Sequence, residues 1–138
     1  MGEEEPAQGA QRRRNFRILA PPGTQLLPEQ YPPLDVIDIS LGGILCARVR
    51  VSIEPPPSCL EMGLELVGMN LAFPGDGQSK RVSIEKGCII REDRETDPSC
   101  CRYGIAFTHI APEERRRLLQ QIYHYQRLFL QQRLNINL

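Results

Sequence analysis

The chain has 138 residues, and its 17 basic and 17 acidic side chains balance to a net charge of zero. That length suits one domain able to bury a core without metal or disulfides, and the charge balance excludes a global field that would drive nonspecific binding to nucleic acid or membranes. No run of about twenty apolar residues and no basic-then-apolar leader is present, so a soluble, cytoplasmic protein without membrane insertion is expected.

In chain order, residues 1–11 are polar and aperiodic, which predicts a disordered tail. The cluster Arg12-Arg13-Arg14-Asn15-Phe16-Arg17 follows, and Phe16, Ile18 and Leu19 start an extended segment. Pro21-Pro22-Gly23 and Pro32-Pro33 then favour loops and strand edges over helix. From Leu34 an alternation sets Ile37, Ile39 and Leu41 on one side of a strand and Asp38 and Ser40 on the other. Gly42-Gly43 fits a two-residue hairpin turn at positive φ. Beyond it Leu45, Ala47, Val49, Val51 and Ile53 alternate with Cys46, Arg48, Arg50 and Ser52, the strongest strand pattern in the chain.

Pro55-Pro56-Pro57 ends that strand. Val67, Met69, Leu71 and Phe73 form the next apolar row, with Leu64 and Leu66 out of phase, which predicts a bulge near Gly68. After the turn Pro74-Gly75-Asp76-Gly77, the residues Val82, Ile84, Cys88 and Ile90 alternate, so these two runs should pair as a long hairpin. Tyr103, Ile105 and Phe107 mark a last strand. Short strands with frequent turns suit a closed antiparallel barrel, a mainly β fold.

The period then changes. Pro112 suits a first helical position and Glu113 and Glu114 the positive end of the helix dipole. Leu118, Ile122, Tyr125 and Phe129 make one face, with Leu119, Leu130 and Leu134 beside it. A helix over 112–134 is longer than one side of a small barrel needs, so its distal half either serves a partner or frays. Arg115, Arg116 and Arg117 read as a solvated face. The chain thus divides into a tail at 1–11, a barrel with an arginine arm at 12–111, and the helix.

The residues that bear on chemistry are few. Cys46, Cys59, Cys88, Cys100 and Cys101 include no C-x-x-C pair, which argues for reduced thiols and no metal. Ser40 with His109 or His124 lacks any nucleophile motif, so the chain is not read as an enzyme. Arginine forks suit phosphate oxygens and guanine edges, and a carboxylate accepts from guanine N–H groups. Asp38 and Ser40 could otherwise serve only a local turn.

Arg13-x-x-x-Arg17, Asp38-x-Ser40-x-x-Gly43 and Tyr103-Gly104-Ile105-Ala106-Phe107 ahead of a terminal helix resemble the PilZ domain family, the bacterial receptors for cyclic dimeric GMP (cyclic di-GMP), over residues 12 to about 133. The resemblance implies a six-stranded antiparallel β-barrel with a long C-terminal helix. It also implies a ligand site of Arg12, Arg13, Arg17, Asp38, Ser40, Gly42 and Gly43. There Arg13 and Arg17 would neutralise phosphates and contact bases, Asp38 would accept from guanine, Ser40 would add a smaller contact, and Gly43 would let backbone approach. Arg12 precedes the arginine motif, a place that in the family influences whether one ligand or a stacked pair binds. Ligand would order the arm, and the output would be a protein contact or self-association through the helix. The segment Ile122 to Arg127 looks like PilZ domains of flagellar-brake type, pointing to control of motility or biofilm. The rival expectation is a degenerate PilZ-fold module that binds a protein through its helix without nucleotide.

Overall fold

The computed structural model describes residues 17–48, 60–75, 80–94 and 101–136. The tail, Arg12 and Arg13 lie outside them. The described residues form seven strands and one helix in order: β1 Ile18–Leu19, β2 Gln25–Pro28, β3 Leu34–Ile39, β4 Gly43–Arg48, β5 Glu65–Ala72, β6 Arg81–Arg94, β7 Cys101–His109 and α1 Pro112–Ile136. Neighbours run β3-β2-β5-β6-β7-β4, and β4 pairs back with β3 to close a six-stranded antiparallel barrel. Closure leaves no open edge among these six strands. β1 lies outside the ring and, among the described residues, pairs with β3 alone, Ile18 opposite Ile39 and Leu19 opposite Asp38.

The core is one cluster lined by Leu26, Ile39, Leu66, Leu71, Ile84, Ile89, Tyr103 and Ile105, all with 1% exposure or less. The Tyr103 hydroxyl is not orphaned in it, because it accepts from the Leu60 amide at 2.9 Å. The helix covers the barrel with Leu118, Ile122 and Tyr125 buried and Phe129 packed at the margin. Its start is fixed where the Ser83 amide donates to Glu114 Oε2 at 3.1 Å. The Tyr125 ring stacks on Phe73 with centroids 5.6 Å apart, beneath the Lys80 ammonium. Beyond that anchor Leu130 is half exposed. Residues 130–133 are all exposed, so the helix buries no further side chain against the barrel over that stretch.

Several local expectations are corrected. β2, Gln-Leu-Leu-Pro, is a strand for which the sequence pattern names no residues: Leu26 and Leu27 pair with β5, and Leu26 is completely buried. On β4 the inward row is Ile44 and Cys46, so Leu45 and Ala47 face outward. Burial pushes the Cys46 thiol up to about 12. On β5 the burial phase breaks at Gly68, at φ +77°, one residue later than the row suggests: Leu66 and Met69 are both buried and Val67 is exposed, while the β5–β6 register runs on without a shift. On β6, register shifts turn Gly87 and Ile89 inward, while Cys88 is half buried and Ile90 is exposed.

Two further corrections concern glycine and cysteine. Gly42 and Gly43 are not among the glycines at positive φ, so the hairpin does not need them for that reason. Gly43 is needed for proximity: a Cβ there would meet the Ile105 carbonyl oxygen at 2.2 Å. Cys46 and Cys88 are free, but Cys101, fully buried at the start of β7, is disulfide-bonded. Its partner lies outside the described residues. Pairing of this kind is set by how the fold brings distant backbone together, which spacing along the chain does not reveal.

Candidate functional site

A cleft of about 230 Å³ opens on the outer wall of the barrel, lined by Arg17, Asp38, Ser40, Gly42, Gly43, Leu45, Ile90, Arg91, Gly104 and Ala106, with Ile44 and Ile105 at its base. Of the residues singled out from sequence, five meet here: Arg17, Asp38, Ser40, Gly42 and Gly43. Arg12 and Arg13 fall outside the described residues.

Strand pairing explains the convergence. β3 carries one extra residue, Ile37, because Val36 pairs with Cys46 while Asp38 pairs with Leu45. The extra residue inverts the phase of the strand. Val36 and Ile39 are both buried although three apart, and Asp38 is left on the outer face beside Leu45. The expected inward trio is thus reduced to Ile39 as a fully buried member, with Leu41 packed at the margin and Ile37 displaced by the bulge. β1 delivers the arginine. Its register with β3, continued by one residue, sets Arg17 opposite Ser40 and on the same outer face as the pair Leu19 and Asp38.

Ser40 is 7% exposed, and both its amide and its hydroxyl donate to the Gly43 carbonyl, at 2.9 and 3.1 Å. It locks the β3–β4 hairpin and keeps its hydroxyl lone pairs for another donor. The Gly42 carbonyl accepts from the Phe107 amide at 2.9 Å. The hairpin is consequently clamped to β7, and the missing Cβ of Gly43 lets the two backbones meet. The result is a rigid lip of backbone beside one carboxylate and one guanidinium.

Sequence reasoning missed the far wall: Leu45, Ile90, Arg91, Gly104 and Ala106. Gly104 and Ala106 did carry a signal, since two small residues at alternate positions of a strand leave a shallow trough on its outer face. Nothing local marks Ile90 and Arg91, whose position follows from a bulge in β6. Among the described residues no cluster of His, Cys, Asp or Glu is arranged to hold a metal, and no helix is long and apolar enough to cross a membrane.

The barrel fold has counterparts among solved structures. The chain is similar in fold to the PilZ domain of YcgR from Escherichia coli with c-di-GMP, at a TM-score of 0.63 and 21% identity, covering 88% of this chain and 96% of that one. It is likewise similar to YcgR from Escherichia coli in complex with c-di-GMP, at 0.66 and 20% identity, covering 91% and 50%. The inhibitor of motility MotI/DgrA of Bacillus subtilis gives 0.61 at 19% identity, covering 83% and 51%. The chain therefore spans about half the length of the latter two. No curated protein sequence matches it significantly. Residues 11–124 match the family described as the PilZ domain. With that match over most of its length and the six-stranded barrel built as above, the chain belongs to the PilZ domain family.

Proposed function

We propose that this chain is a cyclic di-GMP-binding effector domain whose ligand lies in the outer-wall cleft. The observation that carries the reading is the convergence of Arg17, Asp38, Ser40 and the Gly42–Gly43 backbone on one opening from two separate stretches of sequence. A dinucleotide with two phosphates and two guanines needs both a cation and a carboxylate acceptor, each charge-assisted bond being worth about 1.5–3 kcal/mol. Arg17 supplies the cation within the cleft, with Arg12 and Arg13 on the arm that leads to it. Asp38 accepts from a guanine edge and Ser40 offers a hydroxyl. No bond is made or broken, so the output is a change in protein contacts. Ordering of the arm over the cleft creates the new surface, and the distal helix, with Leu130 half exposed, meets the partner.

Calorimetric titration with cyclic di-GMP and with GTP tests this. The expected result is saturable binding of the cyclic dinucleotide at micromolar concentration, weakened tenfold or more, roughly 1.4 kcal/mol, by Arg17→Ala, Arg13→Ala or Asp38→Ala. Absence of saturable heat for the wild type, or equal affinity in all the variants, overturns the reading. A protein that binds its partner normally without any nucleotide would instead support the module without ligand.

A further inference from the structure

A second bulge brackets the cleft on the side opposite Asp38. On β6, Ile89 pairs with Ile105 and Arg91 with Gly104, so Ile90 is an extra residue on that strand. Ile89 is fully buried, and strict alternation would send Arg91 into the barrel with it. The extra residue instead leaves both Ile90 and Arg91 exposed on the outer face, where they line the cleft. Gly104 makes room for this, since a Cβ on it would come within 3.0 Å of the Arg91 Cβ.

The pairings link into one row across the barrel wall. Asp38 pairs with Leu45, Leu45 with Gly104, and Gly104 with Arg91. Three strand spacings of about 4.8 Å separate the two ends by about 14 Å of backbone. Between the carboxylate and the guanidinium lies only the half-buried Leu45 and a glycine without side chain. That floor is apolar and shallow, with the carboxylate at one end of the row and the guanidinium at the other. Ile90, 59% exposed, adds a bulky apolar rim beside Arg91. A phosphate finds no counterpart in such a floor, whereas a planar base does. Guanine offers hydrogen-bond donors on the edge that suits a carboxylate and the two acceptors O6 and N7 on the edge that suits a bidentate arginine.

We propose that Arg91, carried onto the outer wall by the Ile90 bulge, is a specificity-determining residue that reads the O6/N7 edge of a guanine seated on Leu45 and Gly104, with Asp38 on the opposite edge. This rests on the reading of the cleft as a guanine dinucleotide site. Adenine presents a donor where O6 stands and is rejected at the same contact.

The test is a cycle between protein and ligand on the full chain: wild type, Arg91→Ala and Arg91→Lys, each titrated with cyclic di-GMP and with its 7-deazaguanine analogue, in which carbon replaces N7. Arg91 is exposed, so unchanged urea midpoints are expected for both variants. Arg91→Ala should weaken cyclic di-GMP about tenfold. The wild type should bind the analogue several-fold more weakly than the parent, and Arg91→Ala should bind the two alike. Arg91→Lys, with charge but no fork, should keep the salt dependence and lose most of the discrimination. Parental affinity in Arg91→Ala overturns the proposal and leaves the site reading standing. So does an undiminished preference for the parent over the analogue, or an equal loss for both ligands with a shallower salt slope, which is the behaviour of a phosphate contact. No saturable binding by the wild type overturns the site reading and this proposal together.

Discussion

Replacing Gly43 by alanine tests the claim that this glycine is required by proximity and not by its backbone angle. The added Cβ would stand 2.2 Å from the Ile105 carbonyl oxygen and 3.2 Å from the Ala106 Cα. Both are backbone atoms of a paired strand, so no side chain can rotate away. Either β4 or β7 must move by about an ångström, an overpacking cost of about 1–3 kcal/mol. The movement also loosens the Phe107 amide from the Gly42 carbonyl, now 2.9 Å apart, which forfeits about 1 kcal/mol more. The total of about 2–4 kcal/mol corresponds to a fall in Tm of roughly 10 °C for a domain of this size. Urea unfolding followed by circular dichroism measures it, with Gly42→Ala as the control, since Gly42 is exposed and not at positive φ. The control should fall within about 0.5 kcal/mol of wild type. A Gly43→Ala protein as stable as that control would refute the close approach and, with it, the rigid lip of the cleft.

Cys46 gives a pH signature. The folded thiol holds its proton to about 12 because of burial, against an ordinary value of 9.0. Between those values the unfolded chain binds fewer protons than the folded one, so stability falls as pH rises, by up to about 1.4 kcal/mol per pH unit, and is unaffected below pH 9. Unfolding midpoints from pH 8 to 10, below the range where the buried Tyr125 phenol adds its own slope, should show this fall in wild type and lose it in Cys46→Ala; identical slopes would contradict it. The helix offers a paired truncation. Ending the chain after Phe129 should leave stability and ligand affinity near wild type while abolishing association with a partner, whereas ending it after Tyr123 also removes the buried Tyr125 and its stack on Phe73 and should cost about 3–5 kcal/mol. Equal stability of the two truncations would show that Tyr125 does not anchor the helix.

Some of this fold is legible in the sequence for a plain reason: β7 and the helix each keep one period over many residues, with Leu118, Ile122 and Tyr125 at helical spacing and Cys101, Tyr103 and Ile105 at strand spacing, and the β5–β6 hairpin is marked by two apolar runs either side of a glycine-proline turn although neither strand keeps its phase throughout. β2 is not legible, because its four residues lie between proline-rich turns and their pairing with β5 is a tertiary fact. On β4 both faces carry apolar residues, so periodicity alone does not say whether Cys46 or Leu45 looks inward. The cleft depends on the least legible feature of all, a single extra residue in a strand. At Ile37 and at Ile90 the extra residue is defined only by the partner strand. The first turns Asp38 outward and the second turns Arg91 outward. Asp38 was within reach of sequence reasoning through the pattern it shares with Ser40 and Gly43; Arg91 belongs to no such pattern.

The most direct test of the account is where cyclic di-GMP touches the protein. Amide chemical shifts followed during titration of isotope-labelled full chain should move at Arg17, at Asp38 to Leu45, at Ile90 and Arg91, and at Gly104 to Ala106, while Val67 on the wall away from the cleft stays unchanged through saturation. Shifts confined to the helix or to other walls of the barrel, with Asp38 and Gly43 silent at saturating ligand, would contradict it.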